Sequence, residues 1–320
     1  MFHRGIRMAL LLAPVLVFSV CSPAFADQTV TKAAPEGNAV AAAASKRIVS
    51  IGGAVTEILY ALNLQDRIVG VDLTSTFPAA VSDKPQVGYM RNLSVEGVLS
   101  LSPDLVIAIE GAGPPDTIEV LERASVPFVL VPEGYDSASP AAKVRFIAKL
   151  LGQVEKGEAL ATAIEADLRT IDAMRASIED RRKAIFVLGM STGAPLAAGG
   201  NTAAAGMFAL AGIENALSGF DGYKPASDEA AIAAEPDAIV IMSERGHQLT
   251  PEIVFSVPAF VGTPAASHQR LIALPGGYLL NFGPRTAHAA HDLAAAIYPE
   301  FELPELPQRP WAPSAEIANH

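Results

Sequence analysis

Cysteine is almost absent from this chain of 320 residues. The single thiol, Cys21, lies in an N-terminal segment with the features of a cleaved export signal, so the mature protein would have no disulfide, thiolate metal ligand or cysteine nucleophile. The phosphate-binding pattern Gly-x-x-x-x-Gly-Lys and the zinc-protease pattern His-Glu-x-x-His are also missing. We therefore expect a protein that is not an enzyme.

Positive charge is scarce as well. Lys and Arg number 23 against 34 Asp and Glu, the net charge is −11, and the longest basic run is Arg181-Arg182-Lys183. Proteins that bind nucleic acid neutralise phosphates with clustered Lys and Arg. Nucleic acid is therefore not expected as a partner.

Long hydrophobic runs are confined to the N-terminus. A basic start, an apolar run over 8–20 and Ala24-Phe25-Ala26 predict a signal peptide over 1–26, cleaved on export to the periplasm. No later run approaches the ~20 apolar residues of a membrane span, so stable membrane insertion is not expected. Anchoring as a lipoprotein through Cys21 is less favoured, because Val20 is not the small residue that should precede a lipidated cysteine.

The most informative feature that is present is a repeated block. Glu96 is followed by Pro103-Asp104 and an apolar strand pattern, and Glu229 is followed at the same spacing by Pro236-Asp237 and another such pattern. A Gly-Tyr pair precedes each copy, at positions 88–89 and 222–223. This repetition predicts two similar lobes with a ligand cleft between them.

Short apolar strands alternate with helical periods over residues 47–299. This pattern predicts an α/β fold in which each lobe has a mainly parallel sheet flanked by helices. Apolar residues recur three and four positions apart from 160 to 178, so we expect one rigid interlobe helix about 45 Å long. The expected order is a flexible leader 27–46, an N-terminal lobe 47–152, the spine helix 153–183, a C-terminal lobe 184–299 and an irregular tail 300–320. A monomer is expected.

Tyr89 is the strongest candidate for chemistry, because it lies in a Gly-Tyr-Met-Arg turn and not within a strand or helix period. A phenolate is a hard oxygen donor for ferric iron, and tyrosine is a known axial ligand of haem. Ionising a phenol near neutral pH needs a metal or a nearby cation, for which Arg91 and Arg245 are candidates. The alternative is an ordinary turn tyrosine.

Histidines offer a second, weaker candidate. His288 and His291 are three positions apart on the last predicted helix, and His247 follows a predicted strand. Together they leave open a metal receptor or metalloenzyme, although no third ligand accompanies the helical pair.

Four stretches, residues 87–97, 194–199, 219–225 and 281–286, resemble the haem (hemin) periplasmic substrate-binding proteins of bacterial ABC importers. The resemblance covers 47–299 and places the chain in the cluster of binding proteins with a single long interlobe helix. It implies capture of haem in the cleft and delivery to the permease subunits of an ABC transporter. The lobes and spine alone would fit a ferric siderophore or cobalamin binder equally; the Gly-Tyr-x-Arg turn resembles the haem group.

The resemblance also implies roles for individual residues. Tyr89 would be the axial ligand of the haem iron, and Arg245 would face it from the second lobe. Glu96 and Glu229 would dock the permease, one from each lobe. Some relatives have a histidine near Met190, and because it is absent here the resemblance does not extend to a second, histidine-bound haem. The remaining pocket residues would be Tyr223, Met90, Arg91, Met190 and Phe282.

Overall fold

The N-terminal lobe is built on a four-stranded sheet. The computed structural model describes residues 1–2, 42–124, 126–191, 193–244 and 249–312. The strands of this lobe are β1 (Ile48–Ile51), β2 (Ile68–Val71), β3 (Gly88–Tyr89), β4 (Asn92–Leu93), β5 (Leu105–Ile109) and β6 (Phe128–Val131). The sheet has the order β2-β1-β5-β6 and is parallel throughout.

Helices cover both faces of this sheet, which explains why its strands are apolar runs without alternation. Strands β1 and β5 are buried along their whole length. The helices are α1 (Gly53–Ala61), α2 (Val95–Leu99), α3 (Pro115–Arg123) and α4 (Ser139–Leu150), with 3₁₀ turns at Gln65–Arg67 and Ala79–Asp83. The predicted alternation of strands and helices is confirmed.

A single helix, α5 (Val154–Ser177), connects this lobe to the next. Its 24 residues correspond to about 36 Å, so the expectation of about 30 residues and 45 Å was too long. The periodic residue Ile178 is buried but caps the helix with an extended backbone, and residues 179–182 are irregular up to β7. The apolar stripe from Leu160 to Met174 is buried as the spacing predicted.

The C-terminal lobe contains a larger, mainly parallel sheet. Its strands are β7 (Lys183–Ser191), β8 (Ala194–Ala198), β9 (Glu214–Asn215), β10 (Tyr223–Pro225), β11 (Ala238–Met242) and β12 (Leu271–Leu274). Strands β7, β9, β11 and β12 are parallel, and β8 and β10 add an antiparallel edge. The helices are α6 (Ala203–Leu210), α7 (Asp228–Ala233), α8 (Pro251–Phe255), α9 (Pro264–Ser267), α10 (Gly276–Leu280) and α11 (Thr286–Ile297).

The repeated block has the same structure in both lobes. Asp104 accepts hydrogen bonds from the backbone N–H groups of Lys46 and Arg47, and Asp237 accepts one from Lys183, so each aspartate ties β5 or β11 to the start of the lobe's first long strand. The residue before each Pro-Asp has a positive φ, 44° at Ser102 and 47° at Glu235. The sequence repeat therefore marks equivalent scaffold positions in the two lobes.

The two ends of the fold differ from their predicted boundaries. Residues 3–41, which include nearly all of the predicted signal peptide 1–26 and leader 27–46, lie outside the described residues. Ala42 and Ser45 are already buried, so the ordered lobe begins by residue 42 and not at 47. Among the helices of the described segments, none combines the length and the hydropathy that crossing a membrane requires.

Residues 301–312, the described part of the tail, have no regular helix or strand, but they are packed against the body of the protein. Arg309 forms two hydrogen bonds, of 3.0 and 2.7 Å, with Asp167 of the spine helix, whose exposed fraction is only 3%. Trp311, for which the sequence indicated no partner, lies against the hydrophobic core and near the Arg309 guanidinium. Residues 313–320 lie outside the described part.

Candidate functional site

Strand ends and loops of both lobes line one cavity of about 870 Å³. The carboxyl ends of parallel strands are the usual place for ligands in α/β proteins. The N-terminal lobe contributes residues 52–54, Leu73, Thr74, Thr76, residues 89–91, Ile109, Glu133 and Tyr135, and the C-terminal lobe contributes Leu188, residues 201–203, Gly222, Tyr223, Met242, Glu244, Gly276, Gly277, Leu280 and Asn281. The cleft that the repeat predicted is therefore present.

A short β-hairpin presents Tyr89 to this cleft. Strands β3 and β4 pair through Gly88 with Leu93 and Tyr89 with Asn92, and Met90-Arg91 form the turn. The N–H of Leu73 donates to the Gly88 carbonyl, and Gly113 exchanges hydrogen bonds with Met90 and Leu93, each of 2.9 Å. Gly88 has φ 100°, a conformation that glycine adopts without strain. The hairpin is thus fixed to the loops that follow β2 and β5.

The Tyr89 side chain is available for a ligand. It is 45% exposed, and its hydroxyl has no hydrogen-bond partner among the described residues. Tyr223, at the matching position of the second lobe, is partly buried, and burial raises the pKa of its phenol to about 12, although the nearby N–H of Ala204 and hydroxyl of Thr202 lower it in part. The two repeated tyrosines therefore have different environments: Tyr89 is exposed at the cleft, and Tyr223 is partly buried.

A third tyrosine, Tyr135, lines the cleft and was not predicted. Burial and the carboxylate of Glu133 raise the pKa of Tyr135, while Arg91 lowers it. Its ring packs edge-on against Phe282 of the other lobe at 5.4 Å between ring centroids. The only sequence signal was its place shortly after the strand β6, where parallel strands direct ligand-binding loops.

Charged groups are few among the described residues that line the cleft. Among the described lining residues, Arg91 is the one cation, and Glu133 and Glu244 are the two acids. Arg91 is exposed, and no ion pair with it is found among the described residues. Arg245, which was predicted to face Tyr89 from the second lobe, lies with residues 246–248 outside the described residues, as does His247.

The predicted apolar walls are partly corrected. Met90 and Tyr223 do line the cleft. Phe282 does not, because it is 1% exposed and lies behind Tyr135. Met190, 37% exposed, is beyond the lining as well, and Leu188, two residues earlier on β7, takes the wall position.

A buried carboxylate supports one side of the cleft. Asp72, which is fully buried, accepts hydrogen bonds from the N–H of Gly52 (2.8 Å), from the N–H and hydroxyl of Thr74 (2.9 and 2.6 Å) and from the hydroxyl of Ser75 (2.8 Å). Gly52 and Thr74 both line the cavity. Asp72 therefore fixes two lining loops from beneath, a role that its position directly after β2 signals only weakly.

The two predicted docking acids have equivalent positions outside the cleft. Glu96 and Glu229 are exposed in the first turns of α2 and α7. Each helix is capped by a serine hydroxyl, Ser94 accepting from the N–H of Gly97 at 3.1 Å and Ser227 from that of Ala230 at 3.2 Å. Acids at these positions also favour the helix dipole, so the geometry alone leaves both interpretations in place.

The remaining histidines do not come together. The Nε2 of His288 donates to the Pro307 carbonyl (3.2 Å), and His291 contacts Asp292 (3.3 Å). Within the described ranges, no three His, Cys, Asp or Glu side chains form a group that could hold a metal ion.

A hydrolase-like motif lies at the end of β7. Residues 189–193 read Gly-Met-Ser-Thr-Gly, the spacing of a hydrolase nucleophile elbow. That motif requires a strand followed by a helix, whereas here β7 is followed by the antiparallel strand β8. The context of a nucleophile elbow is therefore absent.

The raised pKa of Tyr223 predicts how stability depends on pH. The unfolded phenol ionises near pH 10 and the folded one near about pH 12, so the folded state loses stability as the pH rises through this interval. We expect Tyr223→Phe to reduce that loss, measured by urea unfolding at about pH 9 and about pH 11. If the free energy of unfolding depended on pH identically in wild type and variant, this expectation would be contradicted.

Comparisons with known proteins agree with this architecture. The model of the periplasmic binding protein family matches residues 48–278. The periplasmic heme-binding protein RhuT from Roseiflexus sp. RS-1, in apo form, is 38% identical with a TM-score of 0.76, over 80% of this chain and 98% of that one. The periplasmic heme-binding protein BhuT, in complex with two hemes, is 38% identical with a TM-score of 0.74, over 79% and 97%. An uncharacterized ABC transporter substrate-binding lipoprotein, YvrC of Bacillus subtilis, is 29% identical over 93% of this chain and 98% of its own.

Proposed function

Because the chain belongs to the periplasmic binding protein family, we propose that it is an exported receptor that captures haem in the interlobe cleft and delivers it to the permease subunits of an inner-membrane ABC transporter. RhuT and BhuT are named as heme-binding proteins, and the match with this chain covers almost the whole length of each of them. The YvrC relative supports the link to an ABC transporter and leaves lipid anchoring open beside cleavage of a signal peptide.

The observation that carries the proposal is the Tyr89 hydroxyl, which is exposed, without a partner among the described residues, and held on a fixed hairpin at the cleft. A phenolate oxygen suits ferric iron in haem. Arg91, two residues further along the same hairpin, supplies a positive charge at the cleft. Met90, Leu188 and Met242 supply apolar wall for a porphyrin face.

The charge of the cleft favours haem over a ferric siderophore. Polyanionic ferric chelates require several basic groups, because desolvating an anion without a paired cation is costly. Arg91 is the single cation that the described lining provides. Haem needs fewer basic groups, since its porphyrin is apolar apart from two propionate carboxylates and its iron can be held by one protein ligand.

Titration of the purified protein with hemin, cyanocobalamin and a ferric catecholate, followed by absorption spectroscopy, tests the proposal. We expect saturable binding of hemin with a ferric tyrosinate spectrum, and much weaker binding of the other two. Saturable binding of cyanocobalamin or the catecholate without binding of hemin would overturn the proposal in favour of the corresponding chelate.

Glu96 and Glu229 are proposed as the docking acids for the permease, one per lobe. Because both are exposed and lie outside the cleft, Glu96→Ala with Glu229→Ala is expected to leave the hemin titration unchanged and to abolish haem uptake by cells or stimulation of the transporter ATPase. Substitution of the exposed acids Glu119 and Glu122 on α3 serves as the control. Normal uptake in the double variant would remove these residues from the dock.

A further inference from the structure

A buried lysine joins the two lobes under the cleft. Lys143 lies on α4 of the N-terminal lobe and is 2% exposed. Its ammonium forms an ion pair with Glu133 and lies 3.3 Å from the Phe282 carbonyl and 3.5 Å from the carbonyls of Asn281 and Gly134. Four oxygen acceptors, two of them from the C-terminal lobe, therefore surround one cation.

The same C-terminal segment is held a second time. Glu57 on α1, which is 5% exposed, accepts from both the Nε and the Nη2 of Arg285, at 2.9 and 2.7 Å, and from the Asn281 side-chain amide at 3.0 Å. Residues 281–285 are thus clamped between two charged groups of the N-terminal lobe.

The lysine clamp is continuous with the cleft lining. Glu133 and Asn281 both line the cavity. Phe282, whose carbonyl Lys143 contacts, supports the ring of Tyr135 from behind. Gly206 on α6 lies so close to Tyr135 that a Cβ there would be 2.3 Å from the Tyr135 carbonyl oxygen. The cleft floor is therefore also the place where the lobes touch.

Burial of an ammonium is costly unless its partners compensate. Burial lowers the pKa of Lys143, and the Glu133 carboxylate raises it in part. In return, the ammonium neutralises an acid that would otherwise face the ligand unpaired. It also sets the distance between Glu133 of one lobe and Asn281 of the other.

We propose that Lys143 is a positioning residue of the binding site: it never touches the ligand, but by joining Glu133 to the Asn281–Phe282 backbone it fixes the spacing of the cleft walls around the tetrapyrrole. This inference rests on the proposed haem function for its ligand.

Lys143→Met, which preserves length and removes charge, is compared with Lys149→Met, an exposed position on the same helix. We expect hemin affinity to fall about tenfold in the first variant, as for loss of an outer-shell partner, with an unchanged tyrosinate spectrum because Tyr89 still holds the iron. Small-angle scattering of the ligand-free variant should give a larger radius of gyration. Lys149→Met should match wild type in both measurements.

The double variant Lys143→Met with Glu133→Gln separates positioning from stability, since it leaves no unpaired charge. We expect its unfolding free energy to recover toward wild type while its hemin affinity and radius of gyration remain those of Lys143→Met. It also carries the test if the single variant does not fold. Wild-type hemin affinity in either variant would overturn the inference. If wild type itself does not bind hemin, the proposed function fails, and an unchanged radius of gyration would then separately overturn the role of Lys143.

Discussion

Replacing Tyr89 with phenylalanine is expected to remove the phenolate-to-iron absorption band of the hemin complex and to weaken hemin binding by more than about 100-fold. The substitution keeps the ring and removes only the oxygen. Loss of an outer-shell partner already costs about 10–100-fold in metal affinity, so loss of the iron ligand itself should cost more. Hemin titration with absorption and magnetic circular dichroism measures both effects.

Two further tyrosines sharpen this test. Tyr60→Phe removes a phenol outside the cleft lining and should leave the spectrum and affinity unchanged. Tyr223→Phe removes a phenol whose pKa is raised by burial to about 12, so the iron band should persist. A band that survives in Tyr89→Phe and disappears in Tyr223→Phe would show that the ligand belongs to the second lobe.

Arg285→Met is expected to lower the free energy of unfolding by about 3–5 kcal/mol, because it leaves the Glu57 carboxylate buried without its cation. Of the hydrogen bonds that Glu57 accepts from described residues, only the one from the Asn281 side-chain amide would remain. The guanidinium also stacks 3.8 Å from the centroid of the Phe77 ring, and that contact would be lost too. Urea unfolding monitored by circular dichroism measures the change.

A surface ion pair provides the matched control for this loss. Arg123 and Glu119 form an i, i+4 pair whose side chains are 76% and 59% exposed, so Arg123→Met should cost at most about 0.5 kcal/mol. Combining Arg285→Met with Glu57→Leu should recover part of the stability, since no unpaired charge remains. A loss below about 1 kcal/mol in Arg285→Met would contradict the assignment of Glu57 and Arg285 as a buried ion pair.

Local pattern was sufficient for the scaffold. The aspartates of the repeated Pro-Asp pairs, Asp104 and Asp237, accept hydrogen bonds from backbone N–H groups where strands begin. The apolar runs form parallel strands because helices cover both faces. The elements were predictable since their signals, apolar periodicity and turn residues, act within a few positions along the chain. The length of the spine helix was overestimated because Ile178 continues the apolar period beyond the helix end. Burial does not distinguish a helical residue from the extended residue that follows the helix.

The site was only partly predictable. Tyr89 carried a local signal, a tyrosine in a glycine turn beside an arginine. Tyr135 carried only its place shortly after β6, and Lys143 carried no signal. Tyr135 reaches the cleft through contacts with Phe282 and Gly206, and Lys143 through Glu133 and Asn281. Phe282 was misjudged for the same reason: its aromatic character suited a wall, but its backbone turns it behind Tyr135.

The amino-acid sequence by itself determined the two-lobed α/β architecture, the helical spine and the tyrosine turn, since each depends on residues close together in the chain. Tertiary structure alone decided that Tyr89 stays exposed and that Tyr223 is partly buried, which raises the pKa of its phenol to about 12. It also decided that buried charges of one lobe hold residues 281–285 of the other. Burial and long-range ion pairing depend on the whole packed fold, and no local pattern records them.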